Sequence, residues 1–346
     1  MPSLAGSISS PIVHVLVVLV ATGVIWVGST WFERSAQDLS QYYGLPPVVQ
    51  GSVVVAIGSS FPEFASVVVA GFLGVFEMGV GAIVGSALFN ILVIPGLSGW
   101  LTDKPLEVSR EVVYKEAQFY MIAVAALVIT FALAVIYLPV EGGGGHLYGQ
   151  ITRPLAAVPL ALYGVYLFVQ YQDVSDHGAG TKPRGFSLVR SWGWLTLGLL
   201  VILLAVHQLV ASVELLGSTF GVPEFLAGVT IVAAATSVPD TILSVRSAID
   251  ENGAVSLGNV LGSNTFDLLV VIPAGVMIVG TVVVNFSTAV PMFGILTVAT
   301  ILLFAFLRTE LTLTETESIA LLVVYGLFVV WIVAETLGIS RLLGTI

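Results

Sequence analysis

Long apolar runs almost free of charge constrain this chain more than any other feature. Ile12–Phe32 and Ala117–Tyr137 contain no Asp, Glu, Lys or Arg. Each is long enough to cross a hydrocarbon core of about 30 Å as a helix. Charged residues make up only 9% of the 346 positions and apolar ones 57%, where a soluble domain carries roughly 25% charge. The chain therefore reads as a polytopic helical membrane protein. The first run is too long for a signal-peptide core, and no Lys or Arg precedes Arg34, so a mature span is expected there. There are no cysteines, which excludes disulfides and thiolate metal sites. The net charge of −10 argues against nucleic acid as a partner, since that partner requires a basic face.

Hydropathy places ten spans, at about 12–32, 46–71, 77–100, 113–137, 154–171, 191–216, 223–249, 254–280, 288–308 and 317–338. The second and seventh carry Pro, Gly and acids within them. Of the eleven Lys and Arg residues, nine fall in loops after odd-numbered spans, and only Arg153 and Arg341 fall on the other side. The positive-inside rule then puts the odd-numbered loops in the cytoplasm and both termini outside. Residues 172–190 read as a cytoplasmic linker between a first five-helix half, 1–171, and a second, 191–346. EGGGG at 141–145 reads as a flexible outer loop.

The two halves repeat. At a shift of 177 residues, Val54–Leu92 falls on Ile231–Leu269 without a gap. AIGSSFPE aligns with AAATSVPD, and GAIVGSALFNIL with GNVLGSNTFDLL. Ser60/Ser237, Pro62/Pro239, Gly85/Gly262, Ser86/Ser263 and Phe89/Phe266 are identical pairs, while Glu63 faces Asp240 and Asn90 faces Asp267. Five spans per half is an odd number, so the second half enters from the opposite side. The expected fold is an all-α membrane protein of ten transmembrane helices. It is built from two inverted five-helix repeats, with broken second and seventh helices. Such repeats place substrate at their interface near the midplane.

Pro62 and Pro239 lack the N–H that the carbonyls of Gly58 and Ala235 would otherwise receive. In lipid a freed carbonyl is tolerated only inside protein or a wet cavity, and a cation is one way to satisfy it. Ser59, Ser60, Thr236 and Ser237 stand at the breaks, followed at once by Glu63 and Asp240. Ser86 and Ser263 precede Asn90 and Asp267 by four residues, which puts each pair on one helix face. All these donors are oxygens or amides, suited to hard cations such as calcium and sodium rather than zinc or copper. An ionisable group at a span centre costs at least ~2.5–3.5 kcal/mol, and no Lys or Arg lies deep in a span to neutralise Glu63, Asp240 and Asp267. The counter-charge has to come from metal ions or protons. The pairs Gly81/Gly85 and Gly258/Gly262 have GxxxG spacing, whose plain reading is close helix packing. His207 reads as a lone packed histidine.

These motifs resemble the α-repeats of the sodium/calcium exchangers within the calcium:cation antiporter superfamily, over about 54–99 and 231–276. The resemblance implies one cluster of competing ion sites between spans two, three, seven and eight. It implies central ligands Glu63, Asp240, Ser60, Ser237, Asn90 and Asp267, with Ser86 and Ser263 serving flanking sodium sites. Backbone carbonyls of Ala56, Ser59, Ala233 and Thr236 would complete the shells. It also implies that spans one and six slide across this core. Some positions depart from the family pattern: Ala82 and Ala87 stand where Asn is frequent, and Ala235 where Gly is usual. Asp240 with Asp267 is the acid pattern of the potassium-dependent branch.

The expected function is a sodium-driven calcium antiporter of the cell membrane. Its transport unit is a monomer in the bilayer, it has no cofactor, and potassium coupling is left open. The alternative is a calcium/proton exchanger of the same superfamily, although that branch resembles Gly-Asn-x-x-Glu motifs, which are absent here. An intramembrane aspartyl protease would want an Asp after Tyr and a Gly-x-Gly-Asp stretch. Neither is present, so an enzyme is not expected. A passive channel would lack an obligatory demand for counter-ion.

Overall fold

Charge in the sequence sets apparent span ends that the helices do not respect. In the computed structural model, which describes residues 10–44, 54, 56–102, 104–110, 112–140, 147–174 and 187–340, helix α1 runs from Pro11 to Tyr42. It starts on a proline, whose missing N–H is harmless in a first turn, and it continues ten residues past the expected end at Phe32. The pair Glu33–Arg34 is therefore helical.

The second span is interrupted. A short helix α2 (Ala56–Ser59) stops at Ser60, and α3 (Phe61–Leu73) resumes with Pro62 in its first turn. The chain then forms α4 (Phe76–Trp100), α5 (Val112–Tyr137), α6 (Arg153–Val174) and α7 (Leu188–Phe220). Next come α8 (Glu224–Thr236) and α9 (Val238–Ile249), bent by 49° about Ser237. Last are α10 (Gly253–Val279), α11 (Phe286–Arg308) and α12 (Glu315–Thr336). Among the described residues eight helices are long and apolar enough to span a membrane, and the bent pair makes a ninth. The start of the expected second span lies outside the described residues, as do the EGGGG loop and residues 175–186 of the expected linker. The linker is also shorter than expected, because α6 extends to Val174 and α7 begins at Leu188.

The chain is not purely helical. Short strands tie loops together: β1 (Leu106–Glu107) pairs with β5 (Thr312–Leu313), and β2 (Pro139–Val140), β3 (Tyr148–Ile151) and β4 (Val282–Asn285) form one antiparallel sheet in that order. Each pairing joins loops of the same parity in the span order. Lys104 and Glu251, which pair at 2.8 Å, also come from two odd-numbered loops. Glu77 Oε1, which accepts the Asn285 N–H at 2.8 Å, joins the two even-numbered ends.

Two helices form the centre. In its most apolar stretch α4 is 89% buried and α10 72%, against 28% for α1 and 22% for α12. The outer helices instead expose Leu19, Val20, Val298, Leu327 and Val330. Such a surface suits lipid, which has no need of polar contact. The α4 backbone is pressed onto α8 because both carry glycine at the crossing. A Cβ on Gly85 would meet the Val229 carbonyl oxygen at 2.1 Å, and one on Gly228 would meet that of Met78 at 2.1 Å. The Gly81/Gly85 spacing thus does what it predicts. Gly262 has no described atom within 4 Å of a Cβ, and residue 52, the counterpart of Val229 across the repeat, is outside the described region.

Candidate functional site

The repeated prolines place the two acids at equivalent positions. Ser60 and Ser237 occupy the N-cap positions of α3 and α9, with φ/ψ of −85°/7° and −80°/−1°. Pro62 and Pro239 lie in the first turns, so Glu63 and Asp240 fall three residues after the cap. There the positive end of the helix dipole favours a carboxylate. The half-helices α2 and α8 bring their partially negative C-terminal ends to the same two breaks. Asn90 lies midway along α4. Asp267 opens a π-helical turn, Asp267–Val271, within α10, a distortion common at functional positions.

All four side chains, and those of Ser59, Ser60, Ser86, Thr236, Ser237 and Ser263, are fully buried. Their contacts obey the repeat. Ser86 Oγ donates to Glu63 Oε1 at 3.3 Å, and its counterpart Ser263 faces Asp240. Thr236 faces Glu63, while its counterpart Ser59 faces Asp240. Asn90 Nδ2 donates to Asp240 Oδ2 at 3.2 Å, and its counterpart Asp267 faces Glu63. Hydroxyl pairs bridge the halves, Ser86 with Ser237 at 2.8 Å and Ser59 with Ser263 at 3.1 Å. Each carboxylate at a break is thus met by a residue from the opposite half's intact helix, and exchanging the halves maps the set onto itself.

The symmetry stops at the amide. Asp267 carries two acceptor oxygens in place of the Asn90 amide, so it cannot donate to Glu63 as Asn90 donates to Asp240; the donor that faces it is the Ser60 hydroxyl. Glu63 Oε2, Asp240 Oδ1, Asn90 Oδ1, Ser60 Oγ and both Asp267 oxygens are buried without a hydrogen-bond partner. Orphaned buried oxygens of this number are costly. The one ion pair among the described residues, Lys104–Glu251, lies at the surface with both side chains 77% exposed. No Lys or Arg among the described residues forms an ion pair with the three buried acids.

The expected backbone ligands divide. The Ala233 carbonyl already accepts the Ser237 N–H at 3.0 Å and the Thr236 hydroxyl at 3.3 Å, so it is engaged within its own helix. Ala56 and Ser59 form the short α2 beside the break, and Thr236 ends α8. Among the described residues no group of three or more His, Asp or Glu side chains could hold a metal by itself, so any cation would rely on hydroxyl and amide oxygens as well.

Two residues at the site escaped the sequence reading. Asn264 accepts from Asn90 Nδ2 at 3.1 Å and donates to the Ala87 carbonyl at 3.3 Å; it stands opposite Ala87 in the repeat, where only Ala87 was marked as a departure. Glu33 packs against Gly58 beside the break. It was passed over because hydropathy ended the first span one residue earlier. His207 Nδ1 lies 3.4 Å from the side-chain amide nitrogen of its neighbour Gln208.

The family model described as sodium/calcium exchanger protein matches residues 13–172 and 190–334. The chain belongs to that family. Its members are secondary transporters, not enzymes, and this one is an integral, multi-span membrane protein of cation/calcium exchange type. A putative antiporter, CaxA of Alkalimonas amylolytica, is 29% identical over 77% of this chain and 80% of its own length. The sodium/calcium exchanger MaX1 of Methanosarcina acetivorans is 23% identical over 92% of this chain and 98% of its own. The solved structure of the sodium-calcium exchanger NCX_Mj superposes with a TM-score of 0.61 at 21% identity, covering 93% of this chain and 99% of that one, a likeness of fold.

Proposed function

We propose that this exchanger couples sodium entry to calcium movement by alternating access, in a monomeric ten-helix unit of two inverted halves. One observation carries the reading: three fully buried carboxylates, each with an oxygen lacking a hydrogen bond among the described residues, stand together, and no described Lys or Arg pairs with them. Calcium and several sodium ions are alternative ways to cancel the same charge, so one displaces the other and an empty site crosses the membrane poorly. The ligands would be Glu63, Asp240, Asp267, Asn90, Ser60 and Ser237, flanked by Ser86 and Ser263 and by carbonyls near Ala56, Ser59 and Thr236. Calcium and sodium are hard cations that bind oxygen, and the site offers no imidazole or thiol. The name of MaX1 favours sodium as the coupling ion, as does the Ser-x-Pro-acid motif. The calcium/proton alternative is favoured only by carboxylates that could take protons in place of sodium. Inversion is supported by the odd span count per half and by loops that pair only with loops of like parity. The positive-inside count supports cytoplasmic odd-numbered loops. Helices α1 and α7 flank the core where sliding elements would be needed.

The test is calcium uptake into proteoliposomes with sodium, potassium and proton gradients imposed one at a time. Sodium-driven uptake is expected in the native chain and none in Glu63→Gln or Asp240→Asn. Native-like exchange in both variants would overturn the site, and uptake driven by protons alone would favour the alternative.

A further inference from the structure

A fourth acid lies beside the cluster on a different helix. Glu33 belongs to the last third of α1, and its Cγ stands 3.2 Å from where a Cβ on Gly58 would be. Gly58 is in α2, two residues before the break at Ser60, so α1 packs against the broken span here at a residue without a side chain. Glu33 Oε1 is buried without a hydrogen-bond partner among the described residues. Two charges in the protein act on it, the Asp240 carboxylate and its own sequence neighbour Arg34. Arg34 makes no direct ion pair with it: adjacent helical residues diverge, Arg34 is exposed, and Arg34 acts on Glu33 only at longer range.

We propose that Glu33 is a further cation-coordinating residue, an approach ligand on the α1 C-terminal side that passes a hard cation to the Asp240 end of the buried cluster. This rests on the cation-site reading above. The chain passes from the α1 C-terminus at Tyr42 into the second span, so Gly58 and Glu33 both lie on that side of the break. A cation arriving from there meets Glu33 before Ser59, whose hydroxyl faces Asp240. From the opposite face, toward which α3 runs on past the break, it meets the Glu63 end first. The contribution of Glu33 is therefore one-sided.

The experiment measures half-saturating calcium in sided proteoliposomes of the full chain, with calcium supplied to one face at a time. Glu33→Gln is expected to raise it about tenfold from the α1 C-terminal face, the scale of one lost charge-assisted contact, and to leave the other face unchanged. Glu33→Asp should restore part of the loss. Gly58→Ala, which presses on Glu33 without altering its charge, should reproduce the one-sided shift if Glu33→Gln folds poorly. Wild-type behaviour of these variants on both faces, or an equal loss on both, would overturn the proposal. Glu63→Gln separates the two readings: it should abolish transport from either face. Intact exchange there would remove the shared cluster, while a one-sided Glu33 effect would stand as a separate cation contact.

Discussion

At the residue scale the asymmetry between Asn90 and Asp267 is the most informative detail. The amide of Asn90 donates to Asp240 and to Asn264, so that corner is held together without an ion. Neither Asp267 oxygen is hydrogen-bonded among the described residues, although the Ser60 hydroxyl faces it, and its charge calls for a cation or a proton. Asp267→Asn supplies an amide donor and removes one charge. We expect it to abolish any potassium stimulation of calcium uptake while preserving folding, as read from flux with and without potassium. A potassium response equal to that of the native chain would rule out this role. Asn90→Ala removes the amide that donates to Asp240 and should weaken calcium binding by roughly 1.5–3 kcal/mol, as loss of a bond to a charged group does. Isothermal titration in detergent would show it.

At the scale of elements, the broken helices work because something rigid holds them. Glycines let α4 and α8 touch backbone to backbone, and Phe89 of α4 packs edge-on against Tyr325 of α12 at 5.5 Å while Phe266 of α10 packs likewise against Tyr163 of α6 at 5.6 Å. Each central helix is thus braced by the last helix of the opposite half. Gly85→Ala would force a Cβ to 2.1 Å from a carbonyl oxygen and 2.7 Å from the Ala233 Cβ. Overpacking of this kind costs about 1–3 kcal/mol or more, so a clear fall in the detergent melting temperature is expected. Gly294→Ala, with nothing within 4 Å, is the control and should be neutral or slightly stabilising. Equal melting of the two variants would contradict the packing.

At the scale of the whole molecule, the halves interlock, and the buried polar cluster is drawn from both. The carboxylate at each break meets the central helix of the other half, and the surface loops are stitched together at both ends by short strands. Exchange of calcium for sodium ions moves unequal charge unless the numbers balance. We expect uptake to respond to an imposed membrane potential, at ~2.3 kcal/mol per net charge per 100 mV. Flux indifferent to potential would mean electroneutral exchange. The surface pair Lys104–Glu251 contributes little to this architecture. Lys104 holds the Glu251 carboxyl below its ordinary value, so any stabilisation exists above that range and fades as pH falls through it. Being fully solvated, the pair should leave the melting temperature unchanged in Lys104→Ala.

Hydropathy, proline and the repeat were enough to place nearly every helix, both breaks and the acids at them. Those properties are local: a span needs a run of apolar residues, and a proline removes its own N–H wherever the chain goes. Which residue meets which across the interface was decided by tertiary structure alone. That includes the pairing of Asn90 with Asp240, the isolation of Asp267 and the closed Ala233 carbonyl. Glu33 shows why. Its polarity reads as the end of a span, yet in three dimensions α1 runs on past it and lays it against Gly58, a contact between helices that no periodicity along one chain encodes.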